Sequence, residues 1–219
     1  MTGSWVVVVP AKRFGAAKTR CAGLDPAQRG ALARAMLTDV VGALLRVPRV
    51  RAVVVATADP EVAGTALAAG AAVAASARGS GLNQEVTDAL TGAAAAVPDA
   101  RLAVAMADLA GADPADFETV LATAEGRSRA IVPDADGTGT TMVLVGEAGG
   151  FKPFLGRDSR RRFLADGFHE LPVTAPGLRR DVDTVEQLIS LGAGRLGEAT
   201  RAWVASSAPS LPKTDPSAS

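Results

Sequence analysis

Four cations, Lys12, Arg13, Lys18 and Arg20, stand in one short loop with no acid among them, and the apolar β-branched run Val6 to Val9 leads directly into it. In open α/β sheets the ligand lies beyond the carboxyl ends of the strands, where backbone N–H groups and basic side chains converge on phosphate. The loop contains neither GK[ST] nor GxGxxG, and Gly15 is its only glycine. Basic side chains, rather than a glycine nest, must therefore carry most of the anion binding.

Acids recur where such a loop would need them. Asp108 ends the run Leu102 to Ala107 and should face the same crevice as the cations. Beside phosphates its natural role is a magnesium ligand, because magnesium takes few protein carboxylates and fills its shell with phosphate and water. A helix N-cap is the plainer alternative, but Asp113, ahead of Pro114, is better placed for that. Asp181 and Asp183 stand at i and i+2 after Leu178. On an extended chain they point to one face, where they repel unless a cation lies between them. With Asp108 they are candidate metal ligands, although Asp183 could instead cap a helix beginning at Val185. Spacing alone does not say which of the two touches metal.

Three further stretches offer polar groups. Asp136 to Thr141 places two glycines and three threonines before a strand, a setting for carboxylate or phosphate oxygens. Gly156 to Arg162 reads as a helix start rich in arginine. Asn83 and Gln84 open another helix with amides able to read a base or ribose, or merely to cap it. Cys21 is the only cysteine, which excludes a disulfide framework, and it reads as a buried, idle thiol. His169 is the only histidine and reads as structural, so no Cys/His or Ser/His dyad is available for nucleophilic catalysis.

The elements that must position these residues alternate. Strands are expected at Trp5 to Val9, Arg51 to Ala56, Ala71 to Ala75, Arg101 to Ala107 and Arg129 to Val132. Helices are expected at Pro26 to Arg46, Asp59 to Ala69, Leu82 to Ala96 and Asp113 to Ala124. This rhythm predicts an α/β fold, a mostly parallel sheet with helices on both faces. After Thr140 the rhythm breaks: strands at Thr140 to Val145, His169 to Val173 and Leu178 to Asp183, and helices at Ser159 to Asp166 and Thr184 to Leu191, read as an appendage covering substrate. Residues 1–205 form one domain in this reading, and 206–219, lacking apolar periodicity, a disordered tail.

Lys and Arg total 23 and Asp and Glu total 23, so neither nucleic acid nor a membrane surface is an expected partner. Charges begin at Lys12 with no small-residue cleavage site before them, and no apolar run is long enough to span a bilayer. A cytoplasmic protein is expected.

The segments VPAKRFGAAKTR, LNQEVTDAL, AMADLAGADPADF, PDADGTGTTMV, LGRDSRRRF and PGLRRDVDTVEQL, in this order, resemble the guanylyltransferases of coenzyme F-420 biosynthesis over roughly residues 5 to 195. The resemblance implies a GT-A-like nucleotidyltransferase fold, with Mg2+ as cofactor bridging GTP and an acceptor phosphate. It implies that the acceptor is phosphoenolpyruvate or 2-phospho-L-lactate, with the Ala- and Arg-rich composition favouring the former. Carried over, Lys12, Lys18 and Arg20 are the catalytic cations, with Lys12 and Asn83 also toward the nucleotide. Thr140 (or its neighbour Thr141), Gly156 and Ser159 hold the acceptor, and Asp108 with Asp181 or Asp183 holds metal. Oligomeric state stays open, a homodimer included. A molybdenum-cofactor-type nucleotidyltransferase would carry a glycine-rich first loop, absent here, and a non-catalytic nucleotide-binding module would use these acids only as caps.

Overall fold

Three Asp-Pro pairs start three of the helices by one device. The proline ring presets the first helical φ, and the aspartate accepts the N–H groups that the first turn leaves unpaired. Asp25 accepts from Gln28 N at 2.8 Å while Gln28 Oε1 accepts from Asp25 N at 2.9 Å, a reciprocal capping box. Asp59 accepts from Glu61 N and Val62 N at 3.0 and 3.1 Å, and Asp113 accepts from Asp116 N at 2.8 Å. The computed structural model describes residues 4–21, 23–77, 79–127, 129–146 and 151–207.

The strands are β1 (Trp5–Pro10), β2 (Val50–Thr57), β3 (Ala72–Ala75), β4 (Arg101–Ala105), β5 (Ala130–Pro133), β6 (Thr140–Gly146) and β7 (His169–Glu170). The helices are α1 (Pro26–Leu45), α2 (Pro60–Ala68), α3 (Leu82–Ala96), α4 (Pro114–Thr123), α5 (Ser159–Ala165), α6 (Val185–Leu191) and α7 (Glu198–Ser207). One sheet runs β3-β2-β1-β4-β6-β5-β7. The pairs β2–β3, β1–β2, β1–β4 and β5–β7 are parallel, and β6 lies antiparallel between β4 and β5.

β1 is buried along its whole length, and its alternation serves both faces. Trp5, Val7 and Val9 pack with Leu37, Val41 and Leu44 of α1, Val62 of α2 and Phe117 of α4, whereas Val6 and Val8 pack with Val86 and Leu90 of α3 and Phe163 of α5. Each such fully buried side chain contributes on the order of 1.5–3 kcal/mol. The expected α/β sheet with helices on both faces is therefore present. Because β6 runs against β4 and β5, its first residues lie at the edge where those two strands end, which brings Thr140 to the side of Asp108.

The second half departs from expectation in four places. The segment 178–183 is not a strand: a 3-10 turn, Pro176–Leu178, leads into an irregular stretch, which no sheet edge receives. The strand expected at 169–173 shrinks to His169–Glu170, since Pro172 has no N–H to extend the ladder. Asp183 does not cap α6. Thr184 does, accepting from Gln187 N at 3.2 Å while Gln187 Oε1 accepts from Thr184 N at 3.0 Å. A helix that composition did not suggest, α7, runs to Ser207 and so takes in two residues assigned to the tail; the rest of that tail, 208–219, lies outside the described residues. The Asp39 carboxylate accepts from Ala199 N and Thr200 N at 2.9 and 2.8 Å and holds the first turn of α7 against α1. A β-carbon at Gly197 would collide with that carboxylate, so this entry to the helix needs glycine. No helix among the described residues is long and apolar enough to cross a membrane.

Candidate active site

The basic loop is pinned at its centre. Phe14 is buried in a 3-10 turn, Phe14–Ala16, with the Arg34 guanidinium 5.2 Å from its ring centroid. The chain then passes through Lys18 at φ +55, a left-handed conformation uncommon for a residue with a β-carbon, and turns back with Cys21 N donating to Lys18 O at 2.9 Å. This geometry directs Lys18 inward. Its side chain is 8% exposed, and Nζ donates to Asp108 Oδ2 at 2.9 Å and to the Val182 carbonyl, with Asp183 Oδ1 at 3.9 Å. Arg20 Nη1 reaches Asp183 Oδ2 at 2.8 Å from a largely exposed position, so that pair adds little stability.

The acids are held by the backbone. Val182, fully buried between Asp181 and Asp183, donates its N–H to Asp108 O at 3.1 Å. Asp183 N donates to Gln187 Oε1 at 2.7 Å, and its carbonyl receives the Cys21 thiol at 3.4 Å. Cys21 is buried and burial pushes its pKa up, so it is packing rather than a nucleophile. Asp108 is half-buried, and its Oδ1 is buried without a protein hydrogen-bond partner. Burial, and next the charges of Asp108 and Asp183, push the Asp181 carboxyl up to about 6. Extended pairing in the sheet does not place these acids, as the spacing had suggested. The hydrogen bond from Val182 to Asp108 ties the two segments directly, with Lys18 as counter-charge and Gln187 and Cys21 holding Asp183.

Sequence reasoning missed Asp134. It follows β5 and folds the next loop around its carboxylate: Oδ1 accepts from Thr138 N at 2.9 Å and Oδ2 from Gly139 N at 2.7 Å. A β-carbon at Gly139 would strike this carboxylate. Asp134 also adds to the field that raises Asp181, and Arg179 straps the two segments by donating to Asp134 O at 3.2 Å. An aspartate after Pro133, ahead of Gly137 and Gly139, was the available signal, since Asp side chains often bind backbone N–H groups a few residues on. The two threonines that follow separate cleanly. Thr141 donates to Val132 O at 3.2 Å, whereas the Thr140 hydroxyl is buried with no protein partner.

The loop 151–158 and α5 close this side. Gly156 has φ +109 and Asp158 φ +55, so the turn into α5 is left-handed twice, and Ser159 is 1% exposed just beyond it. Arg160 donates from its backbone N to Thr138 O at 3.3 Å and from Nη1 to Gly137 O at 3.1 Å, which ties the start of α5 to the turn before Thr140. Asn83, at the start of α3, spends both halves of its amide on Leu155: Nδ2 donates to Leu155 O at 3.3 Å and Oδ1 accepts from Leu155 N at 2.9 Å. Lys12 lies exposed just past β1 and makes no ion pair among the described residues. His169 lies exposed on the edge strand β7, outside this group.

The structure joins Lys18, Arg20, Asp108 and Asp183 directly, with Asp181 in their field, while Thr140 opens β6 and Gly156 and Ser159 stand at the entry to α5, tied to the 137–138 turn through Arg160. The guanylyl transferase CofC-like family model matches residues 5–152, through the basic loop, Asp108 and the turn at Asp134. The chain belongs to that family. It is 41% identical over 194 residues to the phosphoenolpyruvate guanylyltransferase of Nocardia farcinica, covering 85% of this chain and 86% of that protein. It is 38% identical over 212 residues to the enzyme of the same name from Salinispora arenicola, covering 95% and 97%. Among solved structures, a candidate nucleotide-diphospho-sugar transferase from Desulfovibrio desulfuricans superposes with a TM-score of 0.70 at 15% identity, covering 94% of this chain and 96% of that one. A cytidylyltransferase from Leptospira borgpetersenii superposes at 0.55 and 13%, covering 97% and 99%. These likenesses establish the nucleotidyltransferase fold. The expected GT-A-like architecture and the family resemblance both hold.

Family membership raises the question of a divalent ion. Among the described residues no three His, Cys, Asp or Glu side chains form a ready cage. The donor set nevertheless suits magnesium, which needs one or two protein carboxylates and takes the rest of its shell from phosphate and water. Asp108 offers an unpartnered buried oxygen, and Asp181 is held where its charge lacks compensation.

Proposed function

We propose that this protein transfers GMP from GTP to phosphoenolpyruvate, giving enolpyruvoyl-2-diphospho-5'-guanosine and pyrophosphate in coenzyme F-420 biosynthesis. The observation that carries this reading is the meeting of the basic loop with Asp108 and the 181–183 segment, in a chain whose relatives bear the name phosphoenolpyruvate guanylyltransferase over nearly their full length.

The chemistry follows from charge. An oxygen of the acceptor phosphate attacks the α-phosphorus of GTP, a new P–O bond forms, and the bond to the β-phosphate breaks with its electrons leaving on pyrophosphate. The acceptor phosphate is already ionised near neutral pH, so no side chain need remove a proton. The work left to the protein is to neutralise crowded anions and hold them in line. Lys12 and Arg20, both reaching solvent at the strand ends, meet phosphate oxygens, and Lys18 sets the charge of the acid cluster. Thr140 supplies a buried, unspent hydroxyl and Ser159 a second polar group at the start of α5, which suits the carboxylate or phosphate of the acceptor. Asn83 holds Leu155 through both halves of its amide and so fixes the turn that carries Gly156. Magnesium would be held by Asp108 with Asp181 or Asp183, and when bound it supplies Lewis-acid neutralisation of phosphate charge.

The test is pyrophosphate release by the purified protein with GTP and each acceptor. Release that needs GTP, phosphoenolpyruvate and a divalent ion together supports the reading. Equal release without an acceptor would replace it with a nucleotide hydrolase.

A further inference from the structure

We propose that the Lys18 ammonium is a tethered stand-in for the divalent cation, holding the Asp108 and Asp183 carboxylates together in the metal-free protein and leaving when metal arrives. This rests on the reading of those acids as metal ligands.

The observations are geometric. Lys18 Nζ lies 2.9 Å from Asp108 Oδ2 and 3.9 Å from Asp183 Oδ1, and also donates to the Val182 carbonyl between the two acids. A cation shared by two carboxylates and a backbone carbonyl has the ligand types that a hard divalent ion selects. The Lys18 side chain is only 8% exposed, yet its backbone adopts a left-handed conformation. Such strain persists only where the surroundings enforce it, and it marks segments with a second state within reach.

Two consequences follow. The protein without nucleotide should bind divalent ions weakly, since each ion must expel a positive charge from the same oxygens. Entry of the ion should free Lys18 toward the crevice in which the phosphates bind, so that one event charges the metal position and extends the cationic loop.

Replacing Lys18 by methionine keeps the length and removes the charge. Manganese binding to the nucleotide-free protein, followed by the loss of the free-ion paramagnetic resonance signal, is expected to be about tenfold or more tighter in Lys18→Met than in the parent. The double variant Asp108→Asn/Lys18→Met is expected to lose that gain. Affinity unchanged or weakened in Lys18→Met overturns the proposal. Manganese uptake indifferent to Asp108→Asn would instead overturn the metal reading beneath it, while pyrophosphate release from GTP remains a separate test of the function. A second measurement needs no variant. The chain has only four lysines, Lys12, Lys18, Lys152 and Lys213. Trace amine labelling read by peptide mass should show Lys18 slow without metal and several-fold faster with saturating manganese, with Lys152 unchanged. A Lys18 rate that does not rise on metal saturation overturns the proposal even if the methionine variant fails to fold.

Discussion

The backbone N–H of Val182 donates to the carbonyl of Asp108 at 3.1 Å, and this bond brings the segment with an aspartate on either side of Val182 next to a third acid, distant in sequence. Lys18 then closes the group from the opposite side, at 2.9 Å from Asp108. The candidate site is thus assembled from three segments with no shared secondary structure.

Asp108→Asn and Asp183→Asn are each expected to lower turnover by a hundredfold or more, roughly what loss of a group facing transition-state charge costs. Both variants should stay folded, because each removes a charge from a cluster with an excess of acids. Circular dichroism and steady-state kinetics on the same preparations check both halves, and near-normal rates in either variant would remove that residue from the metal assignment.

Thr140 and Thr141 should separate by phenotype. Thr140→Ala is expected to raise the acceptor KM by about two- to tenfold with GTP KM and melting temperature little changed, since its hydroxyl has no protein partner to lose. Thr141→Ala breaks the bond to Val132 O and should cost about 0.5–1.5 kcal/mol of stability with a smaller effect on KM. The reverse pattern would exchange the two roles.

Much of this was legible in the chain. The three Asp-Pro starts fixed helix positions to within a residue or two, because a cap and a preset φ act locally. Asp108 and the basic loop could be paired from the rule that parallel strand ends share a crevice. What local pattern could not give was the path of 178–183, where the alternation of Asp181, Val182 and Asp183 imitates a strand but answers to long-range hydrogen bonds from Val182 to Asp108 and between Arg179 and the 134–135 turn. Asp134 passed unnoticed for a different reason: its role is local, accepting backbone N–H groups of its own loop, and an aspartate ahead of two glycines was a turn signal rather than a charge pattern. Helix α7 was hidden by its polar composition, and its anchor, Asp39, lies 160 residues from Ala199.

The metal-free protein should lose stability as pH rises through Asp181. Its folded pKa is raised to about 6, above an unfolded value of about 3.9, so the folded state keeps a proton that the unfolded chain has released. The stabilisation is complete below about pH 4 and is lost as pH rises through about 6. Asp181→Asn should therefore melt higher than the parent at neutral pH, by about 1 kcal/mol after discounting for solvent screening, or roughly 2–4 °C, and equally near pH 4. A variant that melts lower at neutral pH would mean that Asp181 already has its charge satisfied.

A chain ending at Ser207 should match the full-length protein in melting temperature and turnover, because 208–219 is rich in Ser, Pro and Ala without apolar periodicity. Asp39→Ala should melt lower by several degrees, since it strips both acceptors from the first turn of α7, a change on the order of 1–2 kcal/mol. Differential scanning calorimetry separates the two, and a loss on truncation at Ser207 would show that the terminal stretch packs on the domain.

The most direct measurement is the mass of the product formed from GTP when phosphoenolpyruvate and 2-phospho-L-lactate are offered together at equal concentration with magnesium. Expected is enolpyruvoyl-2-diphospho-5'-guanosine in clear excess, with one pyrophosphate released per product. A product carrying the lactyl group instead would contradict the acceptor assignment, and release of GMP or GDP with no conjugate would contradict guanylyl transfer itself.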